Sequence, residues 1–146
     1  MLSLRLVLVL LLVGMGASIA RGQPRDTTEA SARPMHVVDR VTEAFVSGSA
    51  ERLLGPATDR VEVSLFGTRT YYSSAQAFYV LRDFFSNYTP RQFRVDDVTA
   101  TDVSCFVSGT YGHAESDRAL QVFVRLIQQD GEAWRLHEVR IDHEAE

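Results

Sequence analysis

The stretch that decides the fold is VSCFVSGTYGHAESDRALQVFVRLIQQDGEAWRLHEVRIDH, residues 103–143. It contains no helical period. Val103–His113, Arg118–Gln128 and Ala133–His143 read as extended segments, and Gln92–Thr101, immediately upstream, reads as a fourth. Only Thr101-Asp102, Glu115-Ser116-Asp117 and Asp130-Gly131 interrupt them. Breaks this short join antiparallel neighbours, because a parallel crossover needs roughly a dozen residues or more. In the third segment Leu120, Val122, Val124 and Leu126 share one face, while Phe123 and Ile127 fall on the other. With apolar groups on both sides, that segment belongs at the centre of a sheet.

Upstream of the strands the period changes. Ser73 and Gln76 have capping-box spacing, and Ala77, Phe78, Leu81, Phe84 and Phe85 form a broad apolar helical face ending before Pro90. Before that helix, Val61, Val63 and Leu65 alternate with Glu62 and Ser64. Gly67-Thr68 marks a turn, and Arg69–Tyr72 returns as a short strand. A first helix is expected from Pro34, a residue suited to a first helical turn. It carries Val38, Val41 and Phe45 on its apolar stripe and stops at Gly48. Ser49 then caps a short second helix through Leu54, halted by Gly55-Pro56.

The N-terminus differs from all of this. Arg5 precedes an unbroken apolar run, Leu6–Val13, and Ser18 with Ala20 has the small-x-small pattern of a signal-peptidase site. The apolar part is short of the ~20 residues a spanning helix needs. The expected organisation is a signal peptide over residues 1–20 (cleavage after Ala20 or Gly22), a flexible linker over 21–33, and one domain over 34–146. The expected location is therefore periplasmic or secreted, with no stable membrane insertion after cleavage. The net charge is −4, and without a basic stripe nucleic acid is not an expected partner. Cys105 is the only cysteine. It makes no internal disulfide, and its apolar neighbours place it as buried and inert.

Helix, short helix, two strands, helix and four long antiparallel strands form an α+β order that resembles the nuclear transport factor 2-like (cystatin-like) superfamily. VEVSLFGTRTYYSSAQAFYVLRDFFSNYTPRQFRV, residues 61–95, followed by FVSGTYGHAESDRALQVFVRL and WRLHEVRID, is similar to a family of short exported bacterial proteins known only as a domain of unknown function. The resemblance spans His36 to His143 and is most specific from Tyr72 to Phe85. It implies a curved antiparallel sheet wrapped around the helices as a cone. It brings no established activity and no catalytic residues.

The residues themselves offer little chemistry. His113 and Glu115, with Asp117 beyond, have the spacing of a general-base pair. The plain reading of Glu115-Ser116-Asp117 as a solvated hairpin tip takes precedence. On the last strand, alternation puts His137, Val139, Ile141 and His143 on one face and Trp134, Leu136, Glu138, Arg140 and Asp142 on the other. The two histidines are about 20 Å apart at ~3.3 Å per residue, too far to share a metal ion. Arg140, Tyr71 and Tyr72 are the weak candidates for ligand contact, the tyrosines at a cavity mouth or packed across the helix end.

No cofactor and no metal is expected. Two functions remain open. One is a non-catalytic module that holds a small apolar ligand or pairs through its sheet. The other is a small hydrolase or isomerase using His113 or His137 with an acidic neighbour in the cone. The first leads. A homodimer through the sheet face carrying Phe123 and Ile127 is the expected assembly, with Phe106, Val139 and Ile141 adding to the same surface.

Overall fold

A computed structural model of the chain describes residues 27–129, 131 and 133–145. The apolar run, the cleavage site expected at Ala20 or Gly22 and most of the expected linker lie outside these residues. The first helix, α1 (Thr27–Ser47), begins seven residues earlier than Pro34 and carries that proline inside it. Of the expected linker over 21–33, the part from Thr27 onwards lies within α1. Glu29, Ala30, Ala32 and Arg33 favour helix on their own propensities. From Val38 the helix buries Val41, Ala44 and Phe45. Its end is a Schellman cap. Gly48 sits at φ 64°, and the Ser49 N–H returns to the Ala44 carbonyl at 2.9 Å. Ser49 Oγ then accepts the Arg52 N–H to start α2 (Ala50–Leu54).

Strands β1 (Ala57–Leu65) and β2 (Thr68–Ser73) form a hairpin. Its turn is the pair Phe66-Gly67, with φ of 50° and 84°. Positive φ at both positions matches the right-handed twist of the strands. A non-glycine residue there is held in place by packing: the Phe66 ring stacks on His143 at 4.7 Å, and its N–H bonds the Ile141 carbonyl at 2.9 Å. Helix α3 (Ser74–Asn87) opens with both halves of the capping box, Ser73 to the Gln76 backbone and Gln76 back to the Ser73 backbone. It buries Ala77, Leu81, Phe84 and Phe85.

The remaining strands, β3 (Pro90–Ala100), β4 (Ser104–His113), β5 (Ser116–Ile127) and β6 (Arg135–His143), meander antiparallel. Strand order is β2-β1-β6-β5-β4-β3, with β1 and β6 parallel. Register shifts interrupt β3 twice and β4 near His113. Such bulges bend strands and increase twist, so the open sheet is curved. The helices cover one face, α1 against β3 and β4, α3 against β1 and β2. One level of that face is a row of valines in register across five strands: Val63, Val139, Val124, Val107 and Val98.

Two expectations about β6 are corrected. The β5–β6 ladder pairs Arg125 with Glu138 but Leu126 with Leu136, which leaves His137 as an extra residue. Strand parity therefore breaks at His137. Leu136 joins Val139 and Ile141 in the core, all three fully buried, instead of sharing a face with Glu138, Arg140 and Asp142. Val139 and Ile141 oppose Val124 and Val122. They add nothing to the surface that carries Phe123.

Candidate functional site

The space between helices and sheet is filled by aromatic rings. Phe45 stacks on Phe93 at 4.8 Å and meets Phe85 and Tyr111 edge-on at 5.7 and 6.0 Å. Phe45 and Tyr111 have no exposed surface. Each large apolar side chain buried this way stabilises the fold by about 1.5–3 kcal/mol. Burial also raises the Tyr111 phenol far above its ordinary pKa, with a smaller contribution from the Glu115 carboxylate. Its hydroxyl donates to the Tyr88 carbonyl, so the one polar group among these rings is satisfied.

His113 stands at the edge of the same cluster. It is 4 % exposed, although Glu115, Ser116 and Asp117 beyond it are exposed, as a solvated hairpin tip should be. The reason is tertiary. The tip folds onto the α3–β3 connection, where the Tyr88 ring meets the imidazole edge-on at 5.1 Å and Pro90 pairs with His113. His113 Nδ1 lies 3.2 Å from Glu115 Oε2, and the same oxygen accepts the Thr89 N–H at 3.0 Å. Desolvation pushes the Glu115 carboxyl up. Donation from Thr89 and from the His113 ring outweighs it, leaving the group below its ordinary value. The spacing did place a His and an acid in contact. What they do there is fasten the β4–β5 turn to the end of α3.

Among the described residues the opposite face of the sheet carries no helix. Across it run two rows in register. One is Tyr71, Glu62, Glu138, Arg125, Phe106 and Thr99; the other is Arg69, Ser64, Arg140, Phe123, Ser108 and Asp97. Phe106 is 48 % exposed and Phe123 36 %, while Ile127 is half-buried. The Arg140 guanidinium sits 4.3 Å from the Phe123 ring centroid, and that of Arg125 sits 5.5 Å from Phe106. Stacking of this kind holds a cation over an apolar ring. Asp97, Phe106, Ser108, Phe123, Arg125 and Arg140 line a depression of about 410 Å³.

The two tyrosines part company here. Tyr72 is partly buried against the core, whereas Tyr71 is exposed on the uncovered face. A hydrogen bond to the Glu62 carboxylate raises the Tyr71 phenol above its ordinary value. Glu62 is nearly buried and pairs with Arg69 Nε at 2.8 Å.

Several polar atoms on or beside this face have no hydrogen-bond partner among the described residues: Arg125 Nε, Arg140 Nε, Glu62 Oε1 and, at the bulge, His137 Nδ1. Arg140 Nε has only a 3.6 Å approach to Asp142, and the Arg69 contact with Glu62 is an ion pair without hydrogen-bond alignment. Enclosed polar atoms left unpaired are uncommon in native proteins and call for an explanation. Alternation in β5 pointed to Phe123. The arginines stacked beside the rings depend on neighbouring strands, which sequence spacing does not specify. Among the described residues no three His, Cys, Asp or Glu side chains come together as a metal site.

The family model described as "Domain of unknown function (DUF4783)" matches residues 38–142. A crystal structure of a DUF4783 family protein from Bacteroides uniformis is similar at 25 % identity and TM-score 0.67, over 74 % of this chain and 97 % of that one. One from Bacteroides ovatus is similar at 26 % identity and TM-score 0.67, over 73 % and 94 %. An NTF-2 like protein of unknown function from Silicibacter pomeroyi, 13 % identical, shares the fold at TM-score 0.58 over 81 % of this chain and 98 % of that one. No curated protein matches the chain.

Proposed function

The chain belongs to the DUF4783 family of domains of unknown function, and from that premise we propose that it is an exported, non-catalytic module that pairs with a second copy of itself through the uncovered face of its sheet. The observation that carries this reading is the pair of exposed rings, Phe106 and Phe123, with Arg125 and Arg140 stacked on them and their Nε atoms unpaired. Aromatic and arginine side chains are the types that dominate the energetics of protein interfaces. A partner that supplied acceptors could meet the Arg140 side chain, which is 38 % exposed.

A second copy suits the surface because the depression holds both signs of charge, Arg125 and Arg140 beside Asp97 and Glu138. A two-fold interface brings one patch against itself and so needs this self-complementarity. Strands ~4.8 Å apart rising ~3.3 Å per residue give six of them a face on the order of 800 Å². A stable interface uses about 800 Å² per partner. Export rests on Arg5, the run Leu6–Val13 and the small residues before Gly22.

Light scattering with Phe123→Glu tests the pairing. Wild-type protein at high micromolar concentration should scatter as a dimer. The variant should scatter as a monomer with its thermal unfolding preserved. A wild-type monomer under those conditions overturns the reading.

A further inference from the structure

The uncovered face of the sheet carries its charges in an order that a two-fold axis can use. Across β6, β5, β4 and β3, one row in register reads Arg140, Phe123, Ser108, Asp97. A cation stands at one end and a carboxylate at the other, with a ring beside a small residue between them. The next row reads Glu138, Arg125, Phe106, Thr99. On the far side of the first, a third row ends in Asp142 on β6 and Arg94 on β3, with the signs exchanged.

Most carboxylates of this face already have a cation in their own chain. Glu62 pairs with Arg69 and Asp96 with Arg94, each at 2.8 Å, and Glu138 lies opposite Arg125 in the β5–β6 ladder. Asp97 has no cation beside it among the described residues. It is exposed, and its Oδ2 accepts the Thr99 hydroxyl at 3.0 Å. Arg140 is the matching cation. Its Nε approaches Asp142 only to 3.6 Å, and the Phe123 ring holds its guanidinium in place. Within one chain the two cannot meet, because three strand spacings of ~4.8 Å separate them by about 14 Å.

Resting on the pairing proposed above, we infer that the two copies meet about a two-fold axis parallel to the strands, between β4 and β5, so that Arg140 of each binds the partner's Asp97. Rotation about this axis exchanges β5 with β4 and β6 with β3. It sets Phe123 over the partner's Ser108, large against small, and Arg125 over the partner's Phe106, cation against ring. Asp142 meets the partner's Arg94, and no like charges face each other in these rows. An axis across the strands, along the Arg140–Asp97 row, also keeps the sheets aligned. It would stack Arg140 on Arg140 and Asp97 on Asp97, which like charges oppose. Moved towards the next row, it would give Arg140 the partner's Glu138, which already faces Arg125. Strands β1 and β2 fall outside the overlap, carried past the partner's β3 edge, so Tyr71 stays uncovered.

Sedimentation of charge-exchange variants tests the axis. Arg140→Asp alone and Asp97→Arg alone should each weaken the dimer on the order of tenfold, since each sets like charges together twice. An equimolar mixture of the two should recover wild-type pairing as a heterodimer, and so should the double variant. Hydroxyl-radical labelling of wild-type protein keeps the axis testable if a variant fails to fold. Labelling of Phe106 and Phe123 should fall as concentration rises, while Tyr71, 53 % exposed, stays labelled. A wild-type monomer overturns the pairing itself. A wild-type dimer in which a single variant pairs as before, the mixture stays monomeric or Tyr71 becomes protected overturns the axis and leaves the pairing standing. Recovery of Arg140→Asp by Glu138→Arg overturns it too, in favour of an axis across the strands.

Discussion

Replacing Gly109 with alanine probes how completely the interior is filled. A Cβ built on Gly109 would stand 2.6 Å from Phe93 Cζ, 2.7 Å from Phe93 Cε2 and 2.7 Å from the Arg94 carbonyl oxygen. Carbon atoms in contact prefer ~3.5–4.0 Å, so the methyl group is about 1 Å too close on two sides. The Phe93 ring has nowhere cheap to go, because it stacks on the fully buried Phe45 at 4.8 Å. The carbonyl belongs to the β3 backbone beside a register shift that sets the bend of the strand. Overpacking of a well-filled core costs about 1–3 kcal/mol. With both a ring and a backbone atom in the way, the upper part of that range applies. Reduced chain entropy in the unfolded state returns about 0.4–1 kcal/mol, leaving a net loss of about 2 kcal/mol. Urea unfolding followed by circular dichroism should show a midpoint lower by about 1 M at an unchanged slope, taking a slope of about 2 kcal/mol per molar. Phe93→Leu in the Gly109→Ala background should recover part of the loss, and the double-mutant cycle should give a coupling of 0.5 kcal/mol or more, roughly the smallest that proximity produces. A loss below about 0.5 kcal/mol, as at surface sites, would refute the packing of Phe93 over Gly109.

Three further outcomes are expected. Ser73→Ala removes the capping box of α3 and should cost about 1 kcal/mol in urea unfolding, whereas an unchanged midpoint would mean that packing alone holds that helix end. The Glu115 carboxyl sits below its ordinary pKa, as does Asp96, held down by Thr110 and Arg94. Their contribution is therefore complete above the ordinary carboxyl value near 4 and is lost as pH falls through their lower folded values. Glu115→Gln should narrow the gap between urea midpoints measured at about pH 7 and about pH 3, and a gap identical to wild type would remove Glu115 from the account. Mass spectrometry of the exported form should show a chain beginning at Arg21 or Gln23, and an intact Met1 would contradict export by signal cleavage.

Local signals carried much of the fold. The Ser73–Gln76 spacing, the three short breaks between the last four strands, and the doubly apolar β5 are properties of neighbouring residues, and each appears in the structure. The parts that were not legible depend on contacts between distant segments. A bulge at His137 flips the parity of β6, and alternation has no means of announcing an extra residue that the partner strand skips. His113 is buried because the β4–β5 turn lands on Tyr88, 25 positions upstream in sequence. The parallel pairing of β1 with β6 joins the two ends of the domain, so no short-range pattern could give it. Pro34 illustrates the opposite error. A strong local signal for a helix start was read as the boundary, while the residues before it were already able to be helical. For the site, the sequence delivered Phe123 with Phe106 on the same surface, but not Arg125 and Arg140 stacked on those rings. Those enter only when β4, β5 and β6 lie side by side.

Hydroxyl-radical footprinting at rising protein concentration tests the central claim most directly. Phe106 and Phe123 are exposed on the uncovered sheet face, while Tyr79 on α3 and Met35 on α1 are exposed on helices and serve as internal controls. If the sheet face is the pairing surface, labelling of Phe106 and Phe123 should fall as concentration rises, with Tyr79 and Met35 labelled as before. Labelling of all four in constant proportion, from dilute to high micromolar protein, would contradict it.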